Sequence, residues 1–199
     1  MADMGSADFS FETSDGALLH VNAWESDSPK AIVQIVHGMA EFGARYGRFA
    51  DALGKAGYHA FVHDHRGHGR SLRGDAQPGH VADADSWNVL VSDTHAVNRE
   101  LARRYPDLPI ILLGHSMGSF ITQQLMFQHP GDMAAACLSA SNGRPSATAA
   151  AGRLLARVER ARLGRRAASP VLRKMTFDDF NKQFAPNRTN SDWLSRDPK

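Results

Sequence analysis

Ile110-Ile-Leu-Leu-Gly114-His115-Ser116-Met117-Gly118-Ser-Phe-Ile121 is the stretch whose reading decides the fold of this chain. The four apolar residues at its start, bounded by a turn, read as a short buried strand. A helical pattern begins at Met117 and runs to Gln128, closed by Pro130-Gly131. Gly114-x-Ser116-x-Gly118 lies between the two and fits G-x-S-x-G. That pattern is common by chance, and its position carries the meaning. A strand–turn–helix with serine at its apex is a nucleophile elbow: the turn strains the serine backbone and holds its hydroxyl above the sheet edge. The helix N-terminus behind it offers unpaired N–H groups to an anion. Ser116 is therefore the expected nucleophile, and the plainer alternative is a serine in an ordinary strand–helix turn.

A tetrahedral oxyanion needs two donors. One is expected from the N–H of Met117, the residue after the nucleophile. The other should come from the loop after the first central parallel strand. Ala31-Ile-Val-Gln-Ile-Val36 reads as that strand, and His37-Gly38-Met39-Ala40-Glu41 follows it. Gly38 lets the backbone turn sharply, so the Met39 N–H is the expected second donor. Gly38 and His115, which flank the reacting positions, are the expected substrate-binding residues. The plainer reading makes 37–41 only a turn.

Working outward, Asp8–Glu12 and Leu18–Glu25 flank Ser14-Asp15-Gly16, a hairpin signal. Arg45–Ala56 has helical spacing and ends at Gly57; Tyr58–His63 is a strand; Trp87–Tyr105 is a helix stopped by Pro106; Met133–Leu138 is a last apolar run. Short buried strands alternating with helix-length crossovers predict an α/β chain, a mixed and mostly parallel sheet with helices on both faces. Three histidines, His63, His65 and His68, invite a metal reading. Arg66 sits among them and Gly67 stands where a ligating acid would be needed, so the segment Asp64–Ser71 reads instead as a turn braced by Asp64 and Arg66. No metal and no cofactor is expected.

Composition bounds the function. The chain has 199 residues, 42% of them hydrophobic, and a net charge of +2. That excludes a disordered chain and gives no broad basic face for nucleic acid. The single cysteine, Cys137, excludes an internal disulfide and sits in an apolar run, so it is expected in the core. The first residues lack a basic segment followed by an apolar one, and no apolar run approaches the ~18–20 residues of a membrane span. The expectation is a cytoplasmic protein.

His37-Gly38, Asp64-x-Arg66-Gly67-x-Gly69-x-Ser71 and Gly114-x-Ser116-x-Gly118 stand in order, and together they resemble the α/β-hydrolase superfamily. His37-Gly-Met-Ala-Glu41 with Gly-His-Ser-Met-Gly118 is similar to its monoacylglycerol lipase and lysophospholipase branch, also grouped as serine aminopeptidase-like hydrolases. Phe180–Phe184 and Asp192–Pro198 look like the cap of bacterial members. The resemblance implies a core over 1–143, a helical cap over 144–199, and a serine hydrolase acting on a small-molecule acyl ester of lipid type. It also implies an acid and a histidine base after the cap. The only histidine after Ser116 is His129, at the far end of the following helix, about 20 Å away at ~1.5 Å per residue. The triad Asp and His are thus expected outside this chain, and the sheet is expected to lack its last strands. A hydrolase-like binding module without catalysis is the alternative. His37 is the least remote substitute base.

Two interaction surfaces follow. Residues 153–174 hold eight Arg and Lys against Glu159 alone, with Leu154, Leu155 and Val158 as an apolar stripe. This reads as a solvated cap helix, as a helix drawn to anionic lipid, or, as the least favoured alternative, as a nucleic-acid contact. An unpaired strand at Met133–Leu138 would leave an edge open to self-association.

Overall fold

A computed structural model of the chain describes residues 8–74, 76–143, 147–175, 181–189 and 192. Two compact units divide at Asn142 and Gly143. The first holds a six-stranded sheet: β1 (Phe9–Glu12), β2 (Leu18–Trp24), β3 (Ala31–Val36), β4 (Tyr58–His63), β5 (Ile110–His115) and β6 (Ala135–Ser139). Their order is β1-β2-β4-β3-β5-β6. β1–β2 and β2–β4 are antiparallel, and β4–β3, β3–β5 and β5–β6 are parallel. The mixed, mostly parallel sheet expected from the sequence is the one observed. β3 lies between two parallel neighbours with all six residues buried, as a continuous apolar run should.

Alternate residues of β3 serve opposite faces. Ile32 and Val36 face α2 (Ser86–Arg104) and α3 (Met117–Gln128), where Val91, Val97, Leu101, Ile121 and Leu125 close the core. Val33 and Ile35 face the side where Leu53 of α1 (Gly47–Lys55) packs. Gln34 is a fully buried polar residue on the α2 side, and its amide is satisfied. It donates to the Thr94 carbonyl at 3.0 Å and accepts from Asn98 at 2.9 Å. A buried amide with partners on the facing helix sets the rotation of that helix, because losing either bond leaves a desolvated group.

Boundaries moved where chemistry outweighed pattern. β5 continues through Gly114 to His115, because its ladder with β6 extends to the His115–Ser139 pair. A 3-10 turn, Gly43–Tyr46, precedes α1, so Tyr46 lies outside the helix that its spacing suggested. Cys137 is a correction. It is exposed and free, not in the core. Among the described residues β6 pairs only with β5, and an edge strand has one side of its ladder and much of its surface uncovered.

The second unit carries α4 (Ala147–Leu163) and α5 (Pro170–Arg173). Within it Glu159 is buried and accepts from Ser169 at 2.6 Å and Arg162 at 3.0 Å. Leu154 and Val158, two members of the apolar stripe, are exposed. Phe180 and residues 193–198 of the cap-like segments lie outside the described residues. No described helix is long and apolar enough to cross a membrane.

Candidate active site

Ser116 is the residue between β5 and α3, with φ +52° and ψ −118°. A non-glycine residue there is strained by about 1–3 kcal/mol and persists only where its surroundings dictate it. Three hydrogen bonds do so. The Ser116 N–H donates to the Ser139 carbonyl at 3.0 Å, and the Ser116 carbonyl accepts from the Ser119 N–H at 2.9 Å and the Ser119 hydroxyl at 2.7 Å. Gly118, the second glycine of the motif, has a physical reason to be glycine. A Cβ at that position would overlap the Val36 carbonyl, so only glycine lets α3 start against the end of β3.

The end of β3 places the next loop beside the serine. A Cβ built on Gly38 would lie 3.1 Å from the Ser116 Cβ, so Gly38 and Ser116 are immediate neighbours. The Gly38 N–H donates to Glu41 Oε2 at 3.4 Å, and the Ala40 N–H, from a residue with φ +60°, donates to His68 Nε2 at 3.3 Å. Among the described residues the Met39 N–H has no hydrogen-bond partner, nor has the Met117 N–H at the first position of α3. Met39 has a half-exposed side chain. The loop is braced from beneath by His37. Its Nε2 accepts from the His65 N–H at 3.0 Å, which leaves the proton on Nδ1, 2.7 Å from the Gly38 carbonyl to which it donates. Both ring nitrogens are thereby committed to backbone, and burial pushes the imidazole down to about 4. His37 is a neutral structural residue and not a base for Ser116.

The neighbouring histidines form a packed cluster of tilted and edge-on rings. The His37 and His65 ring centroids are 4.1 Å apart and those of His63 and His65 4.7 Å. His65 Nε2 donates to the His37 carbonyl at 3.1 Å. Burial pushes His63 down to about 3 and holds His65 well below the ordinary imidazole range. Asp64 and Arg66 act as the sequence suggested. Asp64 is buried and accepts from the Gly43 and Arg70 N–H groups. Arg66 makes a two-pronged pair with Asp93 at 2.6 and 2.7 Å and reaches Asp15 at 2.7 Å. These bonds fix the turn Asp64–Ser71 that carries His65 and His68 against the loop.

A polar collar around the elbow was missed by the sequence reading. Glu41, whose side chain is only 9% exposed, accepts from the Tyr46 hydroxyl at 2.8 Å, and its Oε1 lies 3.6 Å from both Arg45 Nη1 and His115 Nε2. His115 Nδ1 is 3.0 Å from the Ser139 hydroxyl. Tyr46 falls at an apolar position of the helical spacing over Arg45–Ala56. The available signal was its polar tip beside Arg45, five residues after Glu41. His129 stacks on His95 with centroids 3.7 Å apart, at the end of α3 opposite Ser116.

The model of one protein family, described as serine aminopeptidase, S33, matches residues 27–199. The chain is 34% identical to the monoacylglycerol lipase of Mycolicibacterium smegmatis over 134 residues, which are 67% of this chain and 46% of that protein. It is 33% identical to human monoglyceride lipase over 128 residues, 60% of this chain and 38% of that one. The chain thus matches less than half the length of these relatives. Among solved structures, a thermostable carboxyl esterase from Bacillus coagulans superposes with a TM-score of 0.78 at 24% identity, over 98% of this chain and 63% of that one. The sheet and its helices have the α/β-hydrolase fold.

Proposed function

Since this chain belongs to the serine aminopeptidase (S33) family, we propose that it carries the nucleophile and oxyanion half of a serine hydrolase for lipid monoesters, monoacylglycerols or lysophospholipids. The observation that carries the reading is Ser116 itself, held at φ +52° between β5 and α3 and directly against Gly38. Ser116 Oγ attacks the acyl carbonyl and gives its proton to a histidine base. The Met39 and Met117 N–H groups hold the oxyanion that develops, which is where such donors act most strongly. The alcohol leaves with that proton, and water then attacks the acyl-Ser116 ester and restores the hydroxyl. No cofactor or metal enters these steps.

The collar supports a small polar alcohol. Glu41 and Tyr46 offer an acceptor and a hydroxyl, and His115 a ring nitrogen, beside the nucleophile. Gly38 and His115 line the path to it. The base and its acid partner are assigned to residues outside 1–199, because His37 is committed to backbone and His129 stands at the opposite end of α3. In this reading residues 144–199 act as a cap, the Arg-rich α4 meets anionic lipid, and the protein works in the cytoplasm. The open β6 edge takes further strands or a second copy.

A fluorophosphonate probe tests the assignment. Ser116 should be labelled in the full-length protein, and labelling that survives Ser116→Ala would refute it. The non-catalytic alternative, a binding module, rests on the missing base. Turnover of a monoacylglycerol and lysophospholipid panel at ordinary enzyme rates would eliminate it, and labelling without turnover would favour it.

A further inference from the structure

Away from the elbow, three ligand-type side chains converge. His95 lies in the middle of α2, His129 follows the last residue of α3, and Asp132 closes the 3-10 turn Pro130–Asp132. Each offers one ligand atom, and these atoms all lie within 4.8 Å of one another, the one such group among the described residues. His95 Nε2 is 2.8 Å from Asp132 Oδ2. The two imidazole planes lie 12° apart. A groove of about 350 Å³ opens beside them, edged by Asn88, Ser92 and Gln128.

We propose that His95, His129 and Asp132 form a binding site for a divalent transition-metal ion, with zinc as the reference case. Two imidazole nitrogens and one carboxylate oxygen are the donor set that zinc, nickel and copper favour over calcium or magnesium. Zinc–nitrogen bonds are about 2.0–2.1 Å, so a tetrahedral set needs donors about 3.3 Å apart. Donors within 4.8 Å reach that by side-chain rotation, the stacked rings fanning open to aim their lone pairs at one point. The ion takes the place of the proton that His95 Nε2 shares with Asp132 Oδ2, and that proton moves to His95 Nδ1 by tautomer exchange through solvent, so the ligating imidazole stays neutral. Arg99 Nη1 holds the other oxygen, Asp132 Oδ1, at 2.8 Å, so the carboxylate binds through Oδ2 alone. The fourth position opens on the groove, where water completes the shell. Its role is structural: it ties α2 to the end of α3 and leaves Ser116 untouched. The site does not depend on the hydrolase reading.

The test is calorimetric titration of zinc into tag-free, metal-stripped full-length protein. One ion per chain is expected, with affinity at least tenfold weaker in His95→Gln and in Asp132→Asn, two substitutions that keep size and polarity. Melting temperature should rise with zinc in the unsubstituted protein and not in either variant. Cobalt(II) provides a measurement that needs no variant: a visible band of four-coordinate intensity is expected. Equal zinc affinity in all three proteins, or a cobalt spectrum identical to the free aquo ion, would overturn the site.

Discussion

At its N-terminal end α3 holds Ser116 by backbone geometry; at its C-terminal end it holds His129 by what the ring packs against. Ser116 takes a φ of +52° because β5 must turn into α3 within one residue, and Gly118 lets the helix start on the Val36 carbonyl. The motif itself, Gly114 to Gly118, spans five consecutive residues, and its outer supports are the Val36 and Ser139 carbonyls. His129 instead stacks on His95, thirty-four positions earlier, and lies next to Asp132 through a 3-10 turn. The first arrangement is local and strained, the second long-range and relaxed. Local strain is visible as a motif, because few residue types tolerate it. A packed cluster leaves no motif, because any sequence separation can supply it.

The largest effect expected from breaking this contrast is at the strained end. Ser116→Ala in the full-length protein should lower kcat by on the order of 10⁴–10⁶, as loss of the nucleophile does in a serine triad, while circular dichroism stays unchanged. A loss below tenfold would move the nucleophile elsewhere.

Gly118→Ala sharpens the same comparison through stability. Its methyl group must displace the Val36 backbone, which has nowhere to go. A cost of about 2–4 kcal/mol is expected from overpacking against main chain, read from urea midpoints. A cost below 0.5 kcal/mol would show that the elbow is looser than its geometry implies.

The buried histidines give the next effect, and it depends on pH. His63 has no partner for either ring nitrogen, and burial depresses it to about 3. His37 is depressed to about 4. Below the ordinary imidazole value of ~6.5 the unfolded chain takes up protons that the folded one refuses. Stability is therefore full above pH 6.5 and is lost as pH falls toward 4. His63→Leu removes an unsatisfied buried group, so it should stabilise by about 1 kcal/mol at pH 7 and by more at pH 5. Urea unfolding at both pH values checks it; a destabilised variant whose acid sensitivity matches the parent would contradict the claim. The smallest effect is a control in open space. Gly152 in α4 has nothing within 4 Å of a built Cβ, so Gly152→Ala should gain about 0.5–1 kcal/mol from helix propensity. A loss there would mean that α4 is packed on a face that the structure leaves open.

How much was legible follows the same division. The strand–turn–helix at Ser116, the glycine turn after β3 and the alternation that builds the sheet are patterns of neighbours, and their periodicities survive in the sequence. The role of Asp64 and Arg66 as braces was legible too, since a carboxylate and a guanidinium in a glycine-rich turn have few other uses. Tyr46 was misread because a phenol ring satisfies an apolar pattern while its hydroxyl reaches Glu41. Cys137 was misread because an apolar run tells nothing about whether a strand has a neighbour on each side.

The sequence by itself determined the α/β alternation, the mixed and mostly parallel sheet, and the serine at the apex of its turn. Those rest on backbone sterics and on period, which act between residues a few positions apart. Only the tertiary structure decided that His37 is spent on backbone, that Glu41, Tyr46 and His115 ring the elbow, and that His95 meets His129 and Asp132. Each of these depends on which surfaces face one another after the sheet has twisted and the helices have packed, and a contact between distant residues is fixed by that packing and not by their spacing along the chain.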